Sequence, residues 1–169
     1  EYLNMPAPKP VMATDARYDA ALAALRSSEL RDLAQAYLDS IKVDPRVSID
    51  SGAVEWEVGE EWLLSSHGVE VSDRWTQLDW TGSGQGLDGD EVTSFDYRGG
   101  MSWRLAGAQD LLVADGARLG HDIVSGFGAT RSETYRGLVL LTPRAVDDLI
   151  LEPLDYHLSF ARTYRNAYV

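Results

Sequence analysis

Apolar and polar residues alternate at period two between Arg46 and Trp80: Val47 and Ile49, then Val54, Trp56 and Val58, then Val69 and Val71. That spacing turns one set of side chains to a buried face and the other to solvent, and it predicts β-strands. Turn signals at Ser51-Gly52, Gly59-Glu60-Glu61 and Ser66-His67-Gly68 divide the stretch into an antiparallel meander of four strands, 46–50, 53–58, 62–65 and 69–80. Gly82, Gly84, Gly86 and Gly89 crowd the next stretch and predict a loop. Alternation returns over Glu91 to Arg98, with Phe95 and Tyr97 expected inward.

Helical spacing flanks these strands. Asp15 is placed to cap a short helix carrying Tyr18, Ala21, Leu22 and Leu25. Ser27 or Ser28 opens a stronger one, with Leu30, Leu33, Ala34, Tyr37, Leu38 and Ile41 at three-to-four spacing, and Asp44-Pro45 stops it. From Met101 the period lengthens again through Leu105, Ala108, Leu111, Leu112, Leu119, Ile123 and Phe127. Glycines weaken this pattern, and a break near Asp115-Gly116 is expected to divide it into two pieces. The continuous apolar run Gly137 to Leu141 predicts a buried strand. Thr142-Pro143 then starts a last helix that buries Ala145, Val146, Leu149 and Ile150 and ends at Pro153.

The predicted class is α+β: an antiparallel meander sheet packed against helices, with an additional buried strand and a C-terminal helix. Residues 1–14, with Pro6, Pro8 and Pro10, read as an extended linker or arm. Residues 15–155 form the expected domain. Residues 156–169 form an aromatic and basic tail with Tyr156, Phe160, Arg162, Tyr164, Arg165 and Tyr168.

Composition narrows the function classes. A chain of 169 residues with 44% hydrophobic and 25% charged residues is ordinary for one globular domain. Its net charge of −12 repels a phosphate backbone, and Arg98, Arg104, Arg131 and Arg136 form no basic stripe. Direct nucleic-acid binding is therefore not expected. No cysteine is present, which removes disulfides, thiolate metal sites and a cysteine nucleophile. No apolar run reaches the ~20 residues of a membrane-spanning helix, so no membrane partner is expected either.

Candidate chemistry is thin. His121-Asp122 lacks the second histidine of a zinc helix, because Ser125 and Gly126 stand where it would be. Ser65, Ser66, His67 and Asp73 lie close in sequence, but neighbouring strand residues face opposite ways, and a turn role is expected. Asp88, Asp90 and Glu91 gather carboxylates without the spacing of a calcium loop. Glu55, Glu57, Glu60 and Glu61 read as the wet face of the meander, and the tryptophans Trp56, Trp62, Trp75 and Trp80 as core before ligand platform.

Three pieces carry a family likeness. Lys42-Val43-Asp44-Pro45-Arg46-Val47 leads from a helix into a strand. Leu63-Leu64-Ser65-Ser66-His67-Gly68-Val69 forms a strand and turn. Gly137-Leu138-Val139-Leu140-Leu141-Thr142-Pro143-Arg144-Ala145-Val146, followed by Leu149-Ile150, joins an apolar run to a helix. In order and spacing these resemble the middle portion of the TldD/PmbA family, the modulators of DNA gyrase linked to microcin maturation and antitoxin degradation. The resemblance covers about residues 28 to 154, and it departs from the family at Ser65, where asparagine is usual.

The resemblance implies a place in a two-subunit zinc metalloprotease of which one subunit bears an HExxxH helix. No segment here matches that helix, so no catalytic, cofactor-binding or metal-ligating residue is carried over. Zinc is expected only in a catalytic partner subunit. This suits either a non-catalytic, PmbA-like subunit or a piece of a longer protein, and a start at Glu1 suits the second. The implied partners are a related TldD-like subunit or a second copy, together with unfolded peptide, in the cytoplasm. The alternative is a stand-alone binding module that uses the aromatic sheet or the acidic, glycine-rich loop.

Overall fold

The computed structural model describes residues 17–131 and 133–158. The predicted arm, Asp15 and the tail beyond Leu158 lie outside the described residues. The chain divides after Thr130 into two compact units.

The first unit begins with a single helical turn, α1 (Ala20–Ala23). The Asp19 carboxylate caps it by accepting the Ala21 N–H at 2.8 Å, and its other oxygen accepts the Leu105 N–H at 2.8 Å. Helix α2 (Ser27–Ile41) buries Leu33, Tyr37 and Ile41, as its spacing predicts. Neither serine caps it. Arg26 takes that place, and the Glu29 carboxylate closes the turn by accepting the Arg26 backbone N–H and guanidinium, each at 2.9 Å.

The four-strand meander is corrected to one long hairpin. Strands β1 (Val47–Leu64) and β2 (Glu70–Asp88) pair antiparallel from Val47–Gly86 to Leu64–Glu70. Of the predicted interruptions only Ser66-His67-Gly68 is a turn. The one at Ser51 is a register shift between Ile49 and Ser51 within a continuous ladder. Gly59 stays in the strand because the Trp75 ring lies over it, where a Cβ would come within 2.4 Å.

The glycine-rich stretch is also corrected, from loop to strand. Gly82, Gly84 and Gly86 lie on the face of β2 covered by helices, where a Cβ at Gly82 would meet the Tyr37 ring at 3.0 Å and one at Gly86 would meet Phe127 at 2.6 Å. Absent side chains make room for the helices, so these glycines record close packing rather than a turn. Gly89, with φ +60°, is in a turn as expected. Two shorter strands complete the sheet. Both β3 (Glu91–Val92) and β4 (Asp96–Ser102) pair antiparallel with β2.

Phe95 and Tyr97 do not point inward; they are 55% and 53% exposed. The opposite set of β4 faces the helices, because Arg98 is held there by acids of the next helix. That helix, α3 (Ala108–Ser125), is unbroken where a break was expected. Gly116 and Gly120 sit where α3 crosses α2: a Cβ at Gly116 would lie 1.9 Å from Ser40 Oγ, and one at Gly120 would lie 2.2 Å from the Ile41 carbonyl oxygen. The loss of helix propensity at each glycine is offset by a close helix–helix contact. Between these helices and the sheet, Leu22, Leu33, Tyr37, Ile41, Leu78, Trp80, Leu112, Leu119 and Ile123 form the core.

In the second unit, Gly137 to Leu141 is not a buried strand. Leu138 and Leu140 are 97% and 98% exposed, and no strand of this unit lies among the described residues to pair with them. An extended apolar run becomes a strand only beside another edge. Thr142 does cap the helix that follows, accepting the Ala145 N–H at 3.3 Å. The helix runs on as α4 (Pro143–Val146), a π-helical turn (Asp147–Leu151) and α5 (Glu152–Leu158). Pro153 therefore does not end it. A proline ring clashes with the carbonyl four residues back, here Leu149, and that residue lies in the widened π turn.

Three carboxylates of the first unit make its stability sensitive to acid. Donation by the Arg26 guanidinium, then by the Arg26 N–H, brings Glu29 down to about 2. The Arg46 guanidinium and N–H bring Asp44 down to about 2. The Leu105 and Ala21 N–H groups lower Asp19 as well. Each group binds its proton less tightly in the folded chain than in the unfolded one. The stability each contributes is therefore complete above the ordinary carboxylate range of about 4 and is lost as the pH falls towards 2. Urea midpoints should be level from pH 7 to 5 and decline steadily from pH 4 to 2.5. A midpoint unchanged at pH 2.5 would contradict these assignments.

Candidate functional site

The residues singled out for catalysis do not converge. Ser65 Oγ accepts the His67 and Val69 N–H groups at 3.3 Å each and shapes the hairpin turn. Ser66 Oγ is 3.5 Å from His67 Nδ1, but both are exposed. Asp73, the candidate acid, is bound to the Arg17 guanidinium instead. His121 is exposed on α3, and its neighbour Asp122 accepts from Arg98 at 3.0 Å. Asp88 pairs with Arg46 at 3.2 Å while Glu91 accepts the Gly128 N–H at 3.3 Å, so the acidic stretch is drawn in two directions. Among the described residues no three His, Cys, Asp or Glu side chains are grouped to hold a metal ion.

Two polar features stand out instead. The first is a network between sheet and helices. The Tyr37 hydroxyl donates to the Arg98 carbonyl at 2.9 Å. Arg98 reaches Asp122 at 3.0 Å and Asp115 at 3.9 Å, and Trp80 Nε1 donates to Asp115 at 3.1 Å. Burial, then the Asp115 charge, pushes the Tyr37 phenol up to about 12. Each residue is engaged by another, so the network holds β4 against α2 and α3, although Arg98 Nε itself is buried without a hydrogen-bond partner. Its signal in the sequence was Arg98 itself, a charge in an alternating strand. The aromatic Phe95 and Tyr97 hid it.

The second feature is the surface of the hairpin. Over residues 78–84 of β2 the sheet is three strands wide, because β4 pairs there. Beyond this, residues 57–64 and 70–77 continue as a two-stranded ribbon. Register and alternation place Val58, Glu60, Trp62 and Leu64 on the side that carries the core residues Trp56 and Leu78. Glu55, Glu57, Glu61 and Leu63 lie on the opposite side, along with Trp75. The ribbon's apolar residues are exposed: Val58 49%, Trp62 61%, Leu63 61% and Leu64 65%. At its base Arg74 stacks over the Tyr18 ring at 4.2 Å, and Arg17 pairs with Asp73. Apolar exposure of this density on a strand pair marks a surface that associates.

In the second unit the last helix likewise exposes Leu149, Ile150, Leu151, Leu154 and Leu158, so Leu149 and Ile150 are not buried as expected. An open groove of about 320 Å³ over α2 and α3 is lined by Leu25, Glu29, Asp32, Leu33, Leu105 and Gln109, and brings no reactive groups together. Among the described residues no helix is long and apolar enough to cross a membrane.

No protein-family model matches the sequence, and no curated protein matches it. Solved structures do. One is a candidate modulator of a DNA gyrase from Thermotoga maritima, with a TM-score of 0.66 and 15% identity over 79% of this chain. Another is a candidate modulator of DNA gyrase from Bacteroides thetaiotaomicron, with a TM-score of 0.57 and 18% identity over 75% of this chain. The likeness spans only 30% and 29% of those two proteins. At these identities it is a likeness of fold, and in fold the resemblance read from the sequence holds: the chain shares the architecture of about a third of the gyrase-modulator structures.

Proposed function

We propose that this chain is the scaffold portion of a TldD/PmbA-type proteolytic assembly, and that it supplies docking surface rather than chemistry. The observation that carries this reading is the fold shared with the gyrase modulators over most of this chain. Two features support it. Ser66 and His67 meet only as an exposed pair with no candidate acid beside them, and exposed apolar surface lies on the ribbon and on Leu138 to Leu140. The catalytic zinc belongs to a partner subunit bearing HExxxH, and the site of action is the cytoplasm. The acidic charge rules against a direct grip on nucleic acid, so any effect on gyrase passes through proteins.

Co-expression with an HExxxH-bearing subunit from the same source tests this. A tagged chain should retain that subunit through purification in an amount comparable to its own. Recovery of the tagged chain alone, with the subunit in the unbound fraction, would overturn the proposal.

A further inference from the structure

The ribbon combines three properties that define an occupant. Strand β1 pairs only with β2, so among the described residues its other edge carries no strand partner. The side chains beside that edge are mostly sorted by face: Glu55, Glu57 and Glu61 on one side, with Leu63 at its far end, and Val58, Trp62 and Leu64 on the other, with Glu60 among them. Glu55, Glu57, Glu60 and Glu70 have no ion-pair partner among the described residues, whereas Arg17 is shared between Asp73 and, at 3.8 Å, Glu61, and Arg74 stacks on Tyr18.

From this geometry we infer that the open edge of β1 along residues 55–64 binds an extended polypeptide segment in which lysine or arginine alternates with apolar residues, and that this segment adds to the sheet as a further strand. Backbone hydrogen bonds to the edge supply affinity, and the period-two sorting supplies selectivity. One face of the incoming strand sets its cations against Glu55 and Glu57 and against Glu61, which it shares with Arg17. The other lays its apolar side chains over Val58, Trp62 and Leu64. A second copy of this chain fits poorly, because β1 against β1 would set Glu55, Glu57, Glu60 and Glu61 against one another. Acidic peptides and nucleic acid are repelled by the same carboxylates. The inference rests on the ribbon alone and is independent of the subunit assignment.

Three dye-labelled ten-residue peptides test it with the full chain by fluorescence anisotropy. The first alternates leucine with lysine, the second alternates leucine with glutamate, and the third holds the first peptide's composition in two blocks. Only the alternating basic peptide should bind tightly, with the other two at least about tenfold weaker, or ~1.4 kcal/mol. A variant carrying Glu57→Lys and Glu61→Lys, with an unchanged circular dichroism spectrum, should reverse the preference between the first two. Trp62→Ala should weaken the alternating basic peptide without changing that order. Equal binding of the two basic peptides would reduce the effect to charge alone and overturn strand addition. Failure of all three to bind, or a double variant that keeps the original preference, would overturn the proposal as well.

Discussion

Gly120→Ala should lower the stability of the first unit by roughly 2–3 kcal/mol, seen as a melting midpoint depressed by about 10 °C. The sign is the informative part. In an exposed helix the same change stabilises by about 1 kcal/mol, because alanine is the better helix former. Here the added Cβ would stand 2.2 Å from the Ile41 carbonyl oxygen and 2.8 Å from Val43 Cγ2. Backbone atoms of one helix cannot yield to a methyl of another without moving the whole helix. Gly116 faces α2 in the same way, but its nearest neighbour is the Ser40 hydroxyl, a side chain that can rotate. Gly116→Ala should therefore be the milder change, and Ser40→Ala should partly rescue it. A Gly120→Ala protein more stable than the parent would show that α2 and α3 do not cross at this distance.

Tyr37→Ala should be the most damaging single truncation in the core, at about 3–5 kcal/mol. Tyr37 is fully buried, it lies against Gly82 on the sheet and Gly116 on α3, and its hydroxyl binds the Arg98 carbonyl. Tyr37→Phe separates the two contributions. It keeps the ring and leaves the carbonyl of Arg98 without its donor, at about 1 kcal/mol. Chemical denaturation of the two variants checks the division. Equal losses would mean that the hydroxyl, rather than the ring, dominates, which would contradict the packing described for the core.

Much of this fold was legible in the sequence because its signals are local. The spacing of Leu33, Tyr37 and Ile41 gave α2, the alternation through Val54, Trp56 and Val58 gave strand, and Ser66-His67-Gly68 gave the hairpin turn. Several of the errors share one cause, which is glycine. At Gly82, Gly84 and Gly86 and again at Gly116 and Gly120, the residue reads locally as a breaker. Its actual role is tertiary: it makes room for a neighbour whose approach no local pattern records. The inward face of β4 was misassigned for a related reason. A salt-bridged arginine took the buried side and left Phe95 and Tyr97 outside, so hydrophobicity alone pointed the wrong way.

The candidate surface was legible only in part. Its carboxylates and tryptophans were evident, and a binding role for the aromatic sheet was the alternative reading. The ribbon was not, because splitting residues 46–64 into three short strands concealed an edge 18 residues long. The apolar run of Leu138 to Leu141 was recognised as strand material, yet a strand also needs a neighbouring edge, and sequence pattern does not report whether one is present.

The central claim, that this chain serves as a scaffold subunit, is tested most directly by its mass in solution beside an HExxxH-bearing subunit from the same source. Light scattering on an equimolar mixture at micromolar concentration, following size-exclusion separation, gives that mass. The account predicts one peak whose mass is the sum of the two chains. Two peaks, each with the mass of its chain alone, would contradict it.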